Sequence, residues 1–277
     1  MSTEWTTGAW SRGPVEWTEG NTAFISVVFS WDVDKAFSRA CWFRQAGFDV
    51  RVGGPDVFTS KRAAEFRGVA AVGGEIAGTQ SRHNPMATKA SEGCPVGCFF
   101  CIVPAMEGRK FTLLPDFEPR PVLTDNNLSA LPAEYQRHIV DRYQAAAVPL
   151  LDANSGFEPK TFDGDVFERW RHINKGPWRF GLDETRETED VMRVISMLKR
   201  NGVGARRIQP YVQPIIKLNA RRKEPWVQHD WTAHRLRQVQ RWVNRRVWRK
   251  TPFSEYRASI KTNDQRDRTA PLFEPAA

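Results

Sequence analysis

Short apolar runs alternate along this chain with longer stretches in which apolar residues recur every three or four positions. Phe24-Ile25-Ser26-Val27-Val28-Phe29 has the length and character of a strand. After it, Val33, Ala36, Phe37, Ala40 and Cys41 fall on one face of a helix opened by Asp32, with Gly47 as the expected stop. A short strand follows over Asp49–Val52 and ends in Gly53-Gly54-Pro55. Strand, helix and strand within about 30 residues make one βαβ unit. Residues 1–20 carry no clear periodicity and are expected to be an irregular arm.

Further along, an apolar run ends in a polar cluster four times. Pro121-Val122-Leu123 leads to Thr124-Asp125-Asn126-Asn127, and Val148-Pro149-Leu150-Leu151 leads to Asp152-Ala153-Asn154-Ser155. Arg179-Phe180-Gly181-Leu182 leads to Asp183-Glu184-Thr185-Arg186, and Pro214-Ile215-Ile216 leads to Lys217-Leu218-Asn219. Helical spacing occupies Ala133–Ala147, Asp165–Asn174 and Glu187–Arg200 between them. Alternating strands and helices predict a parallel sheet, with the polar residues after each strand gathered on one rim. In a (β/α) barrel that rim is the active face. Each cluster taken singly could instead cap the next helix; four in series favour a shared rim. A last helix is expected over Asp230–Lys250, with Leu236, Val239, Val243 and Val247 as its apolar stripe and Arg235, Arg237, Arg241, Arg245, Arg246, Arg249 and Lys250 on its other faces.

Composition narrows the class. The 277 residues are 40% hydrophobic and 26% charged, as in an ordinary globular protein. No apolar run approaches the roughly 18 residues of a membrane span, and Met1-Ser2-Thr3-Glu4-Trp5 does not open a secretory signal. A cytoplasmic protein is expected. Lys and Arg total 41 against 32 Asp and Glu, giving 41 − 32 = +9. Such a balance suits a polyanionic partner or simply a solvated basic surface. Three of the four cysteines lie within eight residues, which points to metal rather than to a disulfide framework.

Those three stand in Ser91-Glu92-Gly93-Cys94-Pro95-Val96-Gly97-Cys98-Phe99-Phe100-Cys101-Ile102-Val103-Pro104, with the spacing C-x3-C-x2-C. Three thiolates in so short a loop can wrap one corner of an iron–sulfur cluster and leave one iron free. In this spacing, in the aromatic Phe100 before the third cysteine, and in the loop's place after the extended stretch Met86–Ala90, the chain resembles the radical S-adenosylmethionine superfamily. From Phe24 to Trp248 it resembles uncharacterised members found in bacteria and their phages. The resemblance implies a [4Fe–4S] cluster on Cys94, Cys98 and Cys101. It implies reductive cleavage of S-adenosylmethionine to a 5′-deoxyadenosyl radical, which abstracts a substrate hydrogen, and an electron donor such as flavodoxin or ferredoxin. Phe100, Asn126, Asn154, Ser155, Glu184 and Arg186 are then the candidate cofactor contacts. Asp125-Asn126-Asn127 stands where the family often carries Gly-Gly-Glu, so the methionine amino group must be met differently or by a backbone carbonyl.

The fold this implies is α/β. A radical S-adenosylmethionine-type partial (β/α) barrel covers 81–225, behind a small βαβ unit over 21–80 and an arm over 1–20, with a basic helix and tail over 226–277. The βαβ unit is similar to the Rossmann-like domain of cobalamin-dependent and methylthiotransferase relatives. Cobalamin does not carry over, because none of His83, His138, His172, His229 and His234 sits in the Asp-x-His-x-x-Gly ligand pattern. Between the Asp183 cluster and Pro214 only one helix and the short run Arg207–Val212, interrupted by Pro210, can be placed. The barrel is therefore expected to lack one strand–helix unit. A methyl or methylthio transferase would want more cysteines than Cys41 alone. The alternative is a non-catalytic metal protein, either a zinc-stabilised binding module with Cys41 or His83 as the fourth ligand or an iron–sulfur protein that binds nucleic acid. Nucleic acid, a peptide and a small metabolite all remain open as substrates.

Overall fold

The computed structural model describes residues 4–59, 61–73, 78–98, 101–182 and 187–212. The chain divides into two compact units. The first comprises Met1–Asn126, Arg137–Asn154 and Ile173–Lys175; the second comprises Asn127–Gln136, Ser155–His172 and Gly176–Ala277.

The first unit opens with β1 (Val15–Glu19) and β2 (Thr22–Ser26), an antiparallel pair in register from Val15 opposite Ser26 to Glu19 opposite Thr22. The segment expected to be an irregular arm thus ends in a strand, because Trp17 gains a cross-strand partner in Phe24, their rings stacked at 5.1 Å. Helix α1 (Val33–Gln45) leads to β3 (Asp49–Gly53), parallel to β2. Its face is the one expected: Val33, Ala36 and Ala40 are buried, and Phe37 and Cys41 are half-buried. Asp32 is the N-cap residue without a side-chain cap bond. Beyond α1, Gly47 at φ +89° reverses the chain while Phe48 N–H donates to the Phe43 carbonyl. The strand expected to reach Phe29 stops at Ser26, and Val28 and Phe29 are exposed. Its neighbour β3 ends there at Gly53, and Gly54 packs so closely on Val27 that a Cβ would lie 2.2 Å from the Val27 carbonyl oxygen.

Helix α2 (Pro55–Thr59) and a 3-10 segment over Lys61–Phe66 lead to β4 (Ala71–Val72), parallel to β3. One face of this sheet, with Ala23, Ile25, Val27, Val50 and Val52, packs against α1, Val57 and Phe66. Next come α3 (Thr79–His83), β5 (Ala87–Thr88), β6 (Ser91–Glu92), α4 (Val103–Met106) and β7 (Thr112–Leu113). β8 (Val122–Leu123), α5 (Ala133–Ala145, which runs across the boundary between units) and β9 (Asp152–Ala153) complete it. β5, β8 and β9 form a parallel sheet in that order. The run Val148–Leu151 is not itself the strand: Leu150 makes one isolated parallel bridge to Asn174, and β9 begins at Asp152.

The second unit holds α6 (Gly164–Trp170), β10 (Trp178–Leu182), α7 (Thr188–Arg200) and β11 (Ile208–Val212). β10 and β11 are parallel. Contrary to expectation, Pro210 does not interrupt the last run; it lies in β11 opposite Phe180. Proline is tolerated on an edge strand, and a two-stranded sheet has no other kind. The described chain is therefore mixed α/β with small, mainly parallel sheets, and none of them closes into a barrel. No helix among the described residues is long and apolar enough to cross a membrane. The run at 214–219 and the basic helix expected at 230–250 lie outside the described residues.

Candidate metal centre and the adjoining cavity

The three clustered cysteines lie on the connection from β6 to β7. These strands pair antiparallel, Ser91 with Leu113 and Glu92 with Thr112, so the loop leaves and returns at one point. Cys94 is buried at its base, with its N–H on the Gly108 carbonyl at 3.2 Å. Cys98 and Cys101 are half-buried, and Cys101 N–H donates to the Cys98 carbonyl at 3.0 Å. Gly93 stands at φ +79°, and a Cβ there would be 2.1 Å from the Lys110 carbonyl oxygen. Only glycine permits that approach.

A carboxylate clamps the loop closed. Glu107, just after α4, accepts from Lys89 Nζ at 2.7 Å, from Gly93 N–H at 2.9 Å and from Asn126 Nδ2 at 2.6 Å. Asn126 Nδ2 also reaches the Gly93 carbonyl at 3.3 Å. The residue before the first cysteine, the helix after the third and the end of β8 are thereby tied together. Burial pushes the Glu107 carboxyl up, but Lys89 and the hydrogen bonds outweigh it and hold the group below the usual carboxylate range. It is ionised at neutral pH.

Asp125, wholly buried, accepts from Ala90 N–H at 2.9 Å and from the Ser91 hydroxyl. Burial pushes its carboxyl up to about 6 against those bonds and the nearby Lys89 charge. Tyr143 donates its hydroxyl to the Arg120 carbonyl at 2.7 Å; burial and the charge of Asp125 raise its pKa. Asp125 and Asn126 thus brace the approach to the cysteine loop. In the second unit Asn127 Oδ1 accepts from Ala130 N–H at 3.1 Å and closes a local turn ahead of α5 rather than capping that helix. Asn154 is exposed just after β9 on the first unit, and Ser155 is exposed in the second. Phe100, Glu184 and Arg186 lie outside the described residues.

A cavity of about 1180 Å³ lies within the first unit. Glu92, Lys89, Met106 and Glu107 bring it up to the cysteine loop, and Asn154 to the end of β9. Trp17, Phe24, Ser26 and Arg51 line it from the sheet face that α1 leaves uncovered.

The donor set fits an iron–sulfur cluster: three thiols on one braced loop, the third cysteine leading into a helix. Among the described residues no three His, Cys, Asp or Glu side chains are grouped to hold a metal ion, so a cluster needs these thiols drawn together. Of the two residues expected as a fourth zinc ligand, neither is offered to the loop among the described residues. His83 is buried with Nδ1 on the Ser11 hydroxyl at 2.6 Å and Nε2 on the Ser26 hydroxyl at 2.8 Å, leaving neither ring nitrogen for a metal. Cys41 is on α1, the helix that covers the other face of the N-terminal sheet.

Lys89 and Glu107 do not stand out in the sequence, because they lie 18 residues apart and belong to no spacing pattern. Their one signal is that they flank the cysteines on either side. Comparison with models of known protein families and with curated proteins gives no match for this chain.

Proposed function

We propose that the chain is a radical S-adenosylmethionine enzyme whose Cys94, Cys98 and Cys101 hold a [4Fe–4S] cluster. The observation that supports this most is three cysteines spaced C-x3-C-x2-C on one hairpin loop, braced by Glu107 and bordering a large cavity. Bound there with S-adenosylmethionine, the reduced cluster would supply one electron to the sulfonium and release a 5′-deoxyadenosyl radical. The chain's part is to hold and shield. Glu107 and Asp125 fix the ends of the loop, and the bordering cavity offers a place for a substrate. On this reading the succession β5 to β11 belongs to a partial (β/α) barrel, with Asn126 bracing the loop and Asn154 on the cofactor's side of the cavity. A flavodoxin or ferredoxin would deliver the electron.

The test is anaerobic reconstitution with iron and sulfide, then dithionite reduction with S-adenosylmethionine. Formation of 5′-deoxyadenosine by the native chain, with loss of iron and cleavage in Cys98→Ala and neither lost in Cys41→Ala, is the expected result. A second reading, a non-catalytic metal protein, rests on the same three cysteines. It predicts bound zinc, or a cluster that supports no cleavage.

A further inference from the structure

The N-terminal sheet presents its two faces to different surroundings. The face carrying Ala23, Ile25 and Val27 packs on α1. The opposite face carries Trp17, Phe24, Ser26 and Arg51, which line the cavity rather than a second hydrophobic layer. A mainly parallel sheet is ordinarily covered on both sides. Here α3 covers part of that face, with His83 on the Ser26 hydroxyl at 2.8 Å and Arg82 over the Trp17 ring at 4.6 Å, and the rest borders a space of about 1180 Å³, somewhat larger than most small-molecule sites.

The wall of that space is chemically uneven. Its aromatic lining concentrates on the sheet side: Phe24 lies beside Trp17, and Trp10 and Phe29 extend the apolar surface. Trp10 is 41% exposed, and Phe29, stacked on Trp31 at 4.5 Å through one face, is 44% exposed and keeps its other face for a ligand. Charged groups on the other side are paired with one another: Lys89 lies 2.7 Å from Glu107 and 4.0 Å from Glu92, and Arg120 lies 2.7 Å from Glu118. Arg51 differs. It faces the cavity from the middle of β3, opposite Phe24 in the register, and makes no ion pair among the described residues. A guanidinium beside aromatic surface suits a planar ring bearing an anionic group, which Arg can grip in a fork.

We propose that this cavity binds an anionic aromatic ligand of mononucleotide size, with its ring against the aromatic wall of the N-terminal sheet and its anionic group on Arg51. The βαβ unit is then the ligand-binding wall of the first unit. That the ligand is the substrate of a radical reaction rests on the function proposed above; that the cavity binds it does not.

The probes are adenosine and uridine 5′-monophosphates, with the matching nucleosides and inorganic phosphate, titrated calorimetrically into the full-length chain. At least one monophosphate is expected to bind at one per chain, about tenfold tighter than its nucleoside, the scale of one charge-assisted contact at a partly exposed site. Arg51→Ala should remove that tenfold advantage and leave nucleoside affinity alone, and Arg51→Lys should restore part of it. Cys98→Ala, still able to bind monophosphate, separates this site from the cluster. Failure of every monophosphate to bind, or equal affinity in Arg51→Ala, overturns the proposal. Binding without any iron–sulfur cluster in the native chain overturns the radical reading and leaves this one standing.

Discussion

Glu107→Gln keeps the side chain's shape and removes one of its two good acceptors. Three donors converge on that carboxylate, from Lys89, Gly93 and Asn126, so the amide leaves at least one of them unmatched at a cost of about 1–3 kcal/mol. The loss falls on the base of the cysteine loop. Iron retained after reconstitution should drop well below the native level, and Cys94 in the metal-free chain should react faster with a disulfide reagent. Glu107→Asp should be intermediate, and native loading in Glu107→Gln would remove the clamp from the argument. Asp125 makes a prediction of opposite electrostatic sense. Its pKa is raised from 3.8 to about 6 on folding, so between those values the folded chain keeps a proton that the unfolded chain has lost. Stability contributed here falls as pH rises through that window and is level above it. Urea midpoints of the native chain and Asp125→Asn, measured across the window, should diverge; parallel profiles would contradict it. Little of this was legible in the sequence. Asp125 and Asn126 stood out as a polar cluster after a strand, but whether such a cluster meets a cofactor or braces the chain depends on contacts 19 to 35 residues away.

At the scale of elements, periodicity served best where one face is buried against one partner. α1, α5 and α7 run within two residues of their expected ends, since an amphipathic stripe is a local property. Strands read less well. β9 is displaced from its apolar run, and β11 forms across a proline, because pairing with a neighbour decides both. The second unit shows how far packing overrides local signals: Phe157 belongs to no regular element, yet its ring centroid lies 5.2 Å from Phe162, 5.6 Å from Trp170 and 5.2 Å from Trp178. Phe157 is buried, so Phe157→Ala should cost about 3–5 kcal/mol in equilibrium unfolding. A loss under about 1 kcal/mol would mean that the aromatic cluster closes over the cavity.

At the scale of the whole molecule, the sequence offered a linear order of segments, whereas the compact units are not linear. The first unit takes in 137–154 and 173–175 from beyond the start of the second, a grouping that composition and periodicity have no means to encode. It bears directly on how a metal would stabilise the chain. A ligand that binds the folded form alone stabilises it by mass action, and a cluster on Cys94, Cys98 and Cys101 would grip only the first unit. Amide exchange compared between the reconstituted and metal-free chains should therefore slow most at β5, β6 and β8, whose backbone runs into the braced loop. The amides of α7, packed through Val191, Val194, Ile195 and Leu198 within the other unit, should change little. Equal slowing at β8 and α7 would mean that the two units open as one cooperative body. No slowing anywhere, with iron bound, would mean that the thiols take up metal without ordering the loop that carries them.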